Sequence, residues 1–209
     1  MVKVYNWLQA NKLTLNISKS KYMIVTNKKN FSRNFSVAIN GVPLDECVKY
    51  KYLGVFIDRK LIYKSHKEHI CGKISKACGA LSKLRHVVSI NVLKDVYYAL
   101  IHSYLRYRIV VWGNAREAAL RPLQNLINKA LRIMTFAPFG RIELEPLYEY
   151  LKVLKVKEVF LLETGKFMYK MENNLLPVSI GDYFQPRKQN NSTNYNLRTR
   201  KNTSTAEYQ

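Results

Sequence analysis

Lys49-Tyr50-Lys51-Tyr52-Leu53-Gly54-Val55-Phe56-Ile57-Asp58 is the stretch on which the reading of this chain turns. Aromatic and β-branched residues alternate loosely through it, which predicts one strand. Gly54 falls inside that pattern, and a strand glycine marks a place where a backbone or a ligand comes close. Upstream, Tyr22-Met23-Ile24-Val25-Thr26 reads as a buried strand. Polar residues from Asn27 to Asn34 make a turn, Phe35 to Asn40 alternates as a second strand, and Asn40-Gly41 is a hairpin signal. Ahead of these, Val2, Tyr5 and Trp7-Leu8 follow helical spacing with no capping residue before them. The expectation is that the chain starts inside a larger fold.

From Tyr63 the period lengthens to that of helices. Ile70, Ile74, Ala77, Leu81, Leu84 and Val88 form one apolar stripe, with Lys73, Lys76 and Lys83 along its flank. A second helix is predicted from Val92 to Trp112, capped by Ser89 or Asn91 and punctuated by Gly113. A third fits Arg116 to Phe136, with Leu120, Leu123, Ile127, Leu131 and Met134 inward and Pro122 near its start. A loop at Ala137–Gly140, a short helix opening at Glu145-Pro146 and a longer one over Val153–Asn173 follow. After Phe184 the chain turns to Gln, Asn, Ser, Thr, Arg and Lys, and 185–209 is read as a disordered basic tail.

Charge narrows the partners. The 209 residues carry 35 Lys and Arg against 14 Asp and Glu, a net +21, and such a potential favours polyanions. The excess is uneven: residues 1–60 hold 11 basic and 3 acidic groups, and 61–112 hold 9 and 2. Residues 113–184 hold 10 and 8, so the first half carries the polyanion face and the second reads as ordinary packed helix. No run of roughly eighteen apolar residues is present, so no transmembrane helix is expected. The first residues have no targeting layout, and the expected address is intracellular, nuclear or cytoplasmic. Cys47, Cys71 and Cys78 are an odd set at no metal-ligand spacing, expected as reduced thiols.

Two blocks carry a resemblance. Trp7, Leu8, Asn11, Lys12, Leu13, Leu15, Asn16, Lys19 and Met23, followed by Tyr52-Leu53-Gly54-Val55 and Asp58, resemble the end of the palm in reverse transcriptases of non-LTR retrotransposons, the jockey-like lineage in particular. Ser20 stands where threonine is usual there, and Tyr63 where tryptophan is usual. The likeness continues through Leu61, His69-Ile70, Lys73 and Gly79-x-Leu81-x-Lys83-Leu84-Arg85. It then runs through Tyr97, Ala99-Leu100, Ser103, Leu105, Tyr107, Trp112-Gly113 and Leu123-Gln124-Asn125-x-x-x-Lys129-Ala130-Leu131-Arg132-Ile133. Leu176-Pro177, Asp182-Tyr183-Phe184 and Tyr195–Arg198 resemble the family's C-terminal end.

The resemblance implies an α+β fold: a palm remnant with a primer-grip hairpin over 1–60, an all-helical thumb-like bundle over 61–184, and the tail 185–209. It implies RNA template, DNA primer and their hybrid as partners, and fingers and palm of the same polyprotein ahead of this segment. No membrane partner is expected. It implies that Tyr52, Leu53, Gly54 and Val55 hold the primer end, and that Lys19 lies near a leaving pyrophosphate, where a cation stabilises developing charge. Lys73, Lys76, Lys83 and Arg85 are candidate phosphate contacts.

The family's chemistry uses two or three carboxylates converging on a pair of Mg²⁺ ions. This sequence has no Asp-Asp pair; Asp45-Glu46 is its one adjacent acidic pair, and Asp58 stands alone at a strand end. All three read as surface or capping carboxylates, so the expectation is a chain without the catalytic metal site and inactive by itself. Lys19 is equally readable as a solvated lysine, and Gly54 as a packing residue. His66-x-x-His69 with Cys71 nearby lacks the second pair that a zinc site needs, and His69 reads as a helix residue. Tyr97, Tyr98, Tyr104 and Tyr107 are expected mostly in the core. A stand-alone basic RNA- or DNA-binding protein derived from a retroelement is the alternative. A helical interaction protein, with negligible affinity for RNA–DNA hybrid at moderate salt, is the third reading.

Overall fold

The computed structural model describes residues 2–28, 36–39, 41–138, 143–177 and 180. The expected tail 185–209, the motifs at 182–184 and 195–198, and parts of the turns at 27–34, 40–41 and 137–140 lie outside those residues. The chain divides into two compact units, 1–166 and 167–209.

In the first unit, helix α1 (Val2–Ala10) leads to a 3-10 turn (Ile17–Lys19). Three two-stranded sheets follow. Strand β1 (Lys21–Tyr22) pairs in parallel with β4 (Asp45–Glu46), and β2 (Ala38–Ile39) pairs antiparallel with β3 (Val42–Pro43). Strand β5 (Lys49–Tyr52) pairs antiparallel with β6 (Val55–Asp58) in the register Lys49↔Asp58, Lys51↔Phe56, Tyr52↔Val55. The single strand expected over Lys49–Asp58 is therefore a hairpin, and Gly54 is in its turn. Leu53 and Gly54 have φ of 45° and 84°, the two positive values of a tight turn whose twist matches the strands it joins. The expected buried strand Tyr22–Thr26 also differs. Its ladder ends at Tyr22 because β4 is two residues long, and Val25 is 52% exposed. Arg59 holds this segment instead, donating from Nε to the Ile24 carbonyl (3.1 Å) and from Nη2 to Glu46 (2.9 Å).

Helix α2 (Lys64–Leu84) and helix α6 (Glu117–Thr135) form the central packed pair. Each buries a stripe spaced by threes and fours: Ile70, Ile74, Ala77 and Leu81 on α2, and Leu120, Leu123, Ile127, Ala130 and Met134 on α6. The α2 stripe continues into Leu84 and Val88, which are partly buried. Pro122 is the sixth residue of α6, inside the helix, on its exposed side.

The segment from 90 to 112 packs across this pair, and it is not the single helix expected. It runs as α3 (Ile90–Tyr97), a π turn (Tyr98–His102), α4 (Ser103–Arg106), a break at Tyr107-Arg108, and α5 (Ile109–Trp112). Arg108 takes φ of 51°, and Trp112 Nε1 donates to the Tyr107 carbonyl at 3.0 Å. The β-branched run Ile109-Val110-Val111 gives little local drive to continue a helix through such a break. Tyr97, Ile101, Leu105, Ile109 and Trp112 are each at most 1% exposed, so the segment fills the core despite its interruptions.

Gly113 follows α5, but not as a left-handed cap: its φ is −78°. A Cβ there would meet the Ile109 carbonyl oxygen at 2.6 Å and Phe160 Cδ2 at 2.7 Å. The position demands absence of volume. Helix α7 (Glu145–Leu151) and helix α8 (Val156–Glu172) complete the helices, α8 running across the division between units. Gln124 ties them to α6: its Oε1 accepts from the Val156 N–H (3.0 Å), and the Tyr148 hydroxyl donates to Asn128 Oδ1 (2.6 Å) beside it. In the second unit, Asn173 Nδ2 donates to the Tyr169 carbonyl (2.8 Å) and Asn174 has φ of 53° as the helix ends. Among the described residues no helix is long and apolar enough to cross a membrane.

Gly113→Ala is expected to cost about 1–3 kcal/mol of folding free energy, the usual cost of overpacking, read as a lower urea midpoint with the m-value unchanged; an unaltered midpoint would remove the volume constraint. His66 is 2% exposed, and burial holds its pKa down to about 4 from 6.5. The unfolded chain takes up this proton first as pH falls, so folding stability declines as pH is lowered from about 6.5 towards about 4. His66→Gln should flatten that decline in denaturant titrations run across the window.

Candidate nucleic-acid interface

The β5–β6 hairpin lies against α2 through β6. Of the four expected primer-grip residues, Tyr52 and Leu53 are each 56% exposed, Gly54 is exposed at the tip, and Val55 is 3% exposed and belongs to the core. The tip is anchored by a residue whose part the sequence did not reveal. The Tyr107 hydroxyl donates to the Leu53 carbonyl at 2.7 Å, and a Cβ on Gly54 would sit 3.3 Å from Tyr107 Cε1. Gly54 thus permits both the turn and the approach of the tyrosine ring. Tyr107→Phe keeps the ring and removes a hydrogen bond worth about 1 kcal/mol. It is expected to speed amide exchange at Tyr52–Val55 with little change in the global unfolding midpoint; unchanged exchange there would mean that the tip is held by other contacts.

Behind the tip, the Phe56 ring meets His69 edge-on at 5.2 Å, and its backbone N–H points to His66 Nδ1 at 3.5 Å. The His66 ring packs edge-on against Trp112 at 5.5 Å. His66 therefore faces inward, His69 outward, and Cys71 borders a cleft on another side of α2, so the three residues weighed for zinc go to three surroundings. Among the described residues no three His, Cys, Asp or Glu side chains gather as metal ligands.

Lys73, Lys76 and Lys83 share one exposed stripe of α2 with His69, at successive spacings of four, three and seven residues. The Lys73 ammonium lies 6.0 Å from the Tyr104 ring centre. None of the three lysines has a carboxylate within ion-pairing distance among the described residues. Arg85 does not join them. It is twelve residues from Lys73, about 120° away around the helix, and its guanidinium stacks on Phe136 at 4.4 Å. Lys19 ends the 3-10 turn that Asn16 caps, its N–H donating to Asn16 Oδ1 at 3.2 Å while its side chain is exposed. Among the tyrosines, Tyr97 is fully buried, but Tyr98, Tyr104 and Tyr107 are 37%, 39% and 47% exposed, against the expectation of core packing.

The carboxylates are occupied individually. Asp58 Oδ1 accepts from the N–H groups of Lys60 and Ile62, each at 3.1 Å, closing the turn into α2. Glu46 pairs with Arg59 at 2.9 Å, and Asp45 lies 3.9 Å from Lys21. The described residues thus offer no carboxylate cluster suited to a pair of Mg²⁺ ions. On the opposite side of α2, a cleft of about 540 Å³ opens towards Ala118, Ala119 and Pro122 of α6. It is mostly apolar; Lys67 borders it, and burial lowers that ammonium's pKa. The exposed lysine stripe is on the hairpin side.

Comparison with known proteins finds relatives among the RNA-directed DNA polymerases of mobile elements. The chain is 27% identical over 133 residues to "Probable RNA-directed DNA polymerase from transposon X-element" of Drosophila melanogaster, covering 62% of this chain and 14% of that protein. It is 29% identical over 106 residues to "RNA-directed DNA polymerase from mobile element jockey" of the same fly, and 32% over 107 residues to the Drosophila funebris protein of that name; each match covers 49% of this chain and 12% of the relative. No protein-family model and no solved structure matches the chain. It spans about an eighth of the length of these curated relatives. Over these stretches the chain is similar to part of the RNA-directed DNA polymerases of jockey-type non-LTR retrotransposons.

Proposed function

We propose that this chain is a segment of a non-LTR retrotransposon reverse transcriptase that binds primer–template and leaves the catalytic carboxylates to residues outside it. In this reading, 1–60 is the end of the palm with its primer-grip hairpin, and the helices from α2 onward are the thumb. The observation that carries it is the exposed stripe Lys73, Lys76 and Lys83, without an ion pair among the described residues, running from beside the hairpin along one face of α2. Ammonium groups along one helix face without neutralising carboxylates suit a phosphate backbone and carry no sequence information. A polymerase that moves along its template requires contact of that kind.

The hairpin tip adds exposed backbone at Leu53-Gly54, where a sugar-phosphate could approach closely, with Tyr52 beside it. Arg85 contributes less, because its guanidinium is engaged by Phe136. Lys19 would assist near the pyrophosphate, and Mg²⁺ would be held by aspartates elsewhere in the polyprotein. A stand-alone RNA- or DNA-binding protein would use the same surface; the homology to polymerases favours the first reading.

Binding of a labelled RNA–DNA hybrid, followed by anisotropy over a salt series, tests the proposal. The wild-type chain is expected to bind at about 50 mM salt and weaken steeply as salt rises. Lys73→Ala, Lys76→Ala and Lys83→Ala combined should lower the log–log salt slope by about 2–3, because that many phosphate contacts are lost. Absence of hybrid binding, or a slope indifferent to the three substitutions, would overturn the reading. So would nucleotide addition to a primed template by this chain alone.

A further inference from the structure

Four nitrogen-bearing side chains outside the lysine stripe's middle converge where the hairpin meets α2. Lys49 and Lys51 are two apart on β5, so both project from the same face, the face that carries Phe56 opposite Lys51. Their ammonium groups lie 5.7 Å and 5.6 Å from the Phe56 ring centre. His69 packs its ring edge on that same Phe56, and Lys73 follows one turn later on α2. Neither Lys49, Lys51 nor Lys73 has a carboxylate within 4 Å among the described residues. Asp58, the register partner of Lys49, spends Oδ1 on the turn at Lys60–Ile62.

We propose that Lys49, Lys51 and His69, gathered around Phe56, together with Lys73 one turn beyond His69, form one phosphate-binding site shared between the hairpin and α2, in which His69 takes up a proton when the anion binds. The aromatic ring supports the lysine stems and attracts their ammonium groups, while the charged heads stay at the surface. Two ammonium groups on one ring and a third beside His69 repel one another until an anion enters, and the oxygens of a phosphate can accept from them and from the imidazole.

The groups facing His69 fix the sign of its response. On its own helix these are Lys73 and His66, the latter neutral above pH 4 or so. On the hairpin they are Lys51 and Lys49, with Asp58 turned to its own loop. Burial, Lys73 and Lys51 hold the His69 pKa below 6.5, so in the free protein it is uncharged at pH 7.5. A bound phosphate offsets the two ammonium charges and favours the imidazolium, so its pKa rises on binding. By linkage, affinity for the anion must then strengthen as pH falls. The identity of the polyanion as nucleic acid rests on the function proposed above; the site itself does not.

Histidine ring resonances of the full chain, titrated with pH alone, with inorganic tripolyphosphate and with RNA–DNA hybrid, provide the test. The His69 midpoint is expected to move upward with either anion, and Lys51→Met, an exposed substitution, should reduce the movement. Hybrid affinity at constant salt should be ~3–10-fold tighter at pH 5.5 than at pH 7.5, and His69→Gln should remove most of that gain. An upward shift with tripolyphosphate but not hybrid would keep the phosphate site and overturn the nucleic-acid reading. A shift with hybrid alone would keep the site as one for a phosphodiester strand. A His69 midpoint unmoved by both, or a His69→Gln chain with the same pH dependence, would overturn the proposal.

Discussion

The interdigitation of α2 with α6 is the contact on which the remainder of the first unit rests. Ile74, Leu81, Leu123, Ile127 and Leu131 are fully excluded from water there. Burial of each such side chain contributes about 1.5–3 kcal/mol. The interrupted segment from Ile90 to Trp112 has no continuous helical ladder of its own to rely on. It keeps its π turn and its break at Tyr107 because its apolar side chains reach this core. The hairpin has even less to support it. A two-stranded ribbon is marginal alone, and Val55 and Phe56 are stabilised by the side of α2.

Function follows from the same arrangement. One side of α2 is committed to α6, which leaves His69, Lys73, Lys76 and Lys83 facing outward, and the hairpin docks at the N-terminal end of that outward stripe. Tyr107, held by the Trp112 indole and reaching the Leu53 carbonyl, connects the core to the tip. A deformation of the helical unit would therefore be felt where the proposed primer contact lies. Tyr107, Val55 and Phe56 connect the hairpin to the helices that carry the basic surface.

Electrostatics divides the two histidines that sequence spacing groups together. His66 is desolvated against Trp112 and stays neutral down to about pH 4. His69, three residues on, points the other way into a ring of ammonium groups, where its charge state depends on what binds. Neither arrangement resembles a ligand sphere for a metal. The three carboxylates near the hairpin are likewise apart: Asp58 closes a turn, Glu46 pairs with Arg59, and Asp45 lies at the surface near Lys21.

Much of the chain was legible beforehand. The threefold and fourfold spacing of Ile70, Ile74, Ala77 and Leu81 located α2, and the similar stripe from Leu120 to Met134 located α6, because helical burial depends on local period alone. The loose alternation through Lys49–Tyr52 marked that stretch as a strand. The order of polymerase-like motifs gave the homology. Tertiary structure decided the remainder. It folded Lys49–Asp58 back on itself at Leu53-Gly54, since a turn and a strand glycine look alike until a partner such as Tyr107 is in place. It broke the helix at Tyr107-Arg108, where the Trp112 indole five residues on donates to the Tyr107 carbonyl, and it stacked Arg85 on Phe136, away from the lysine stripe. Sequence fixes which residues can share a face; only packing fixes which faces meet.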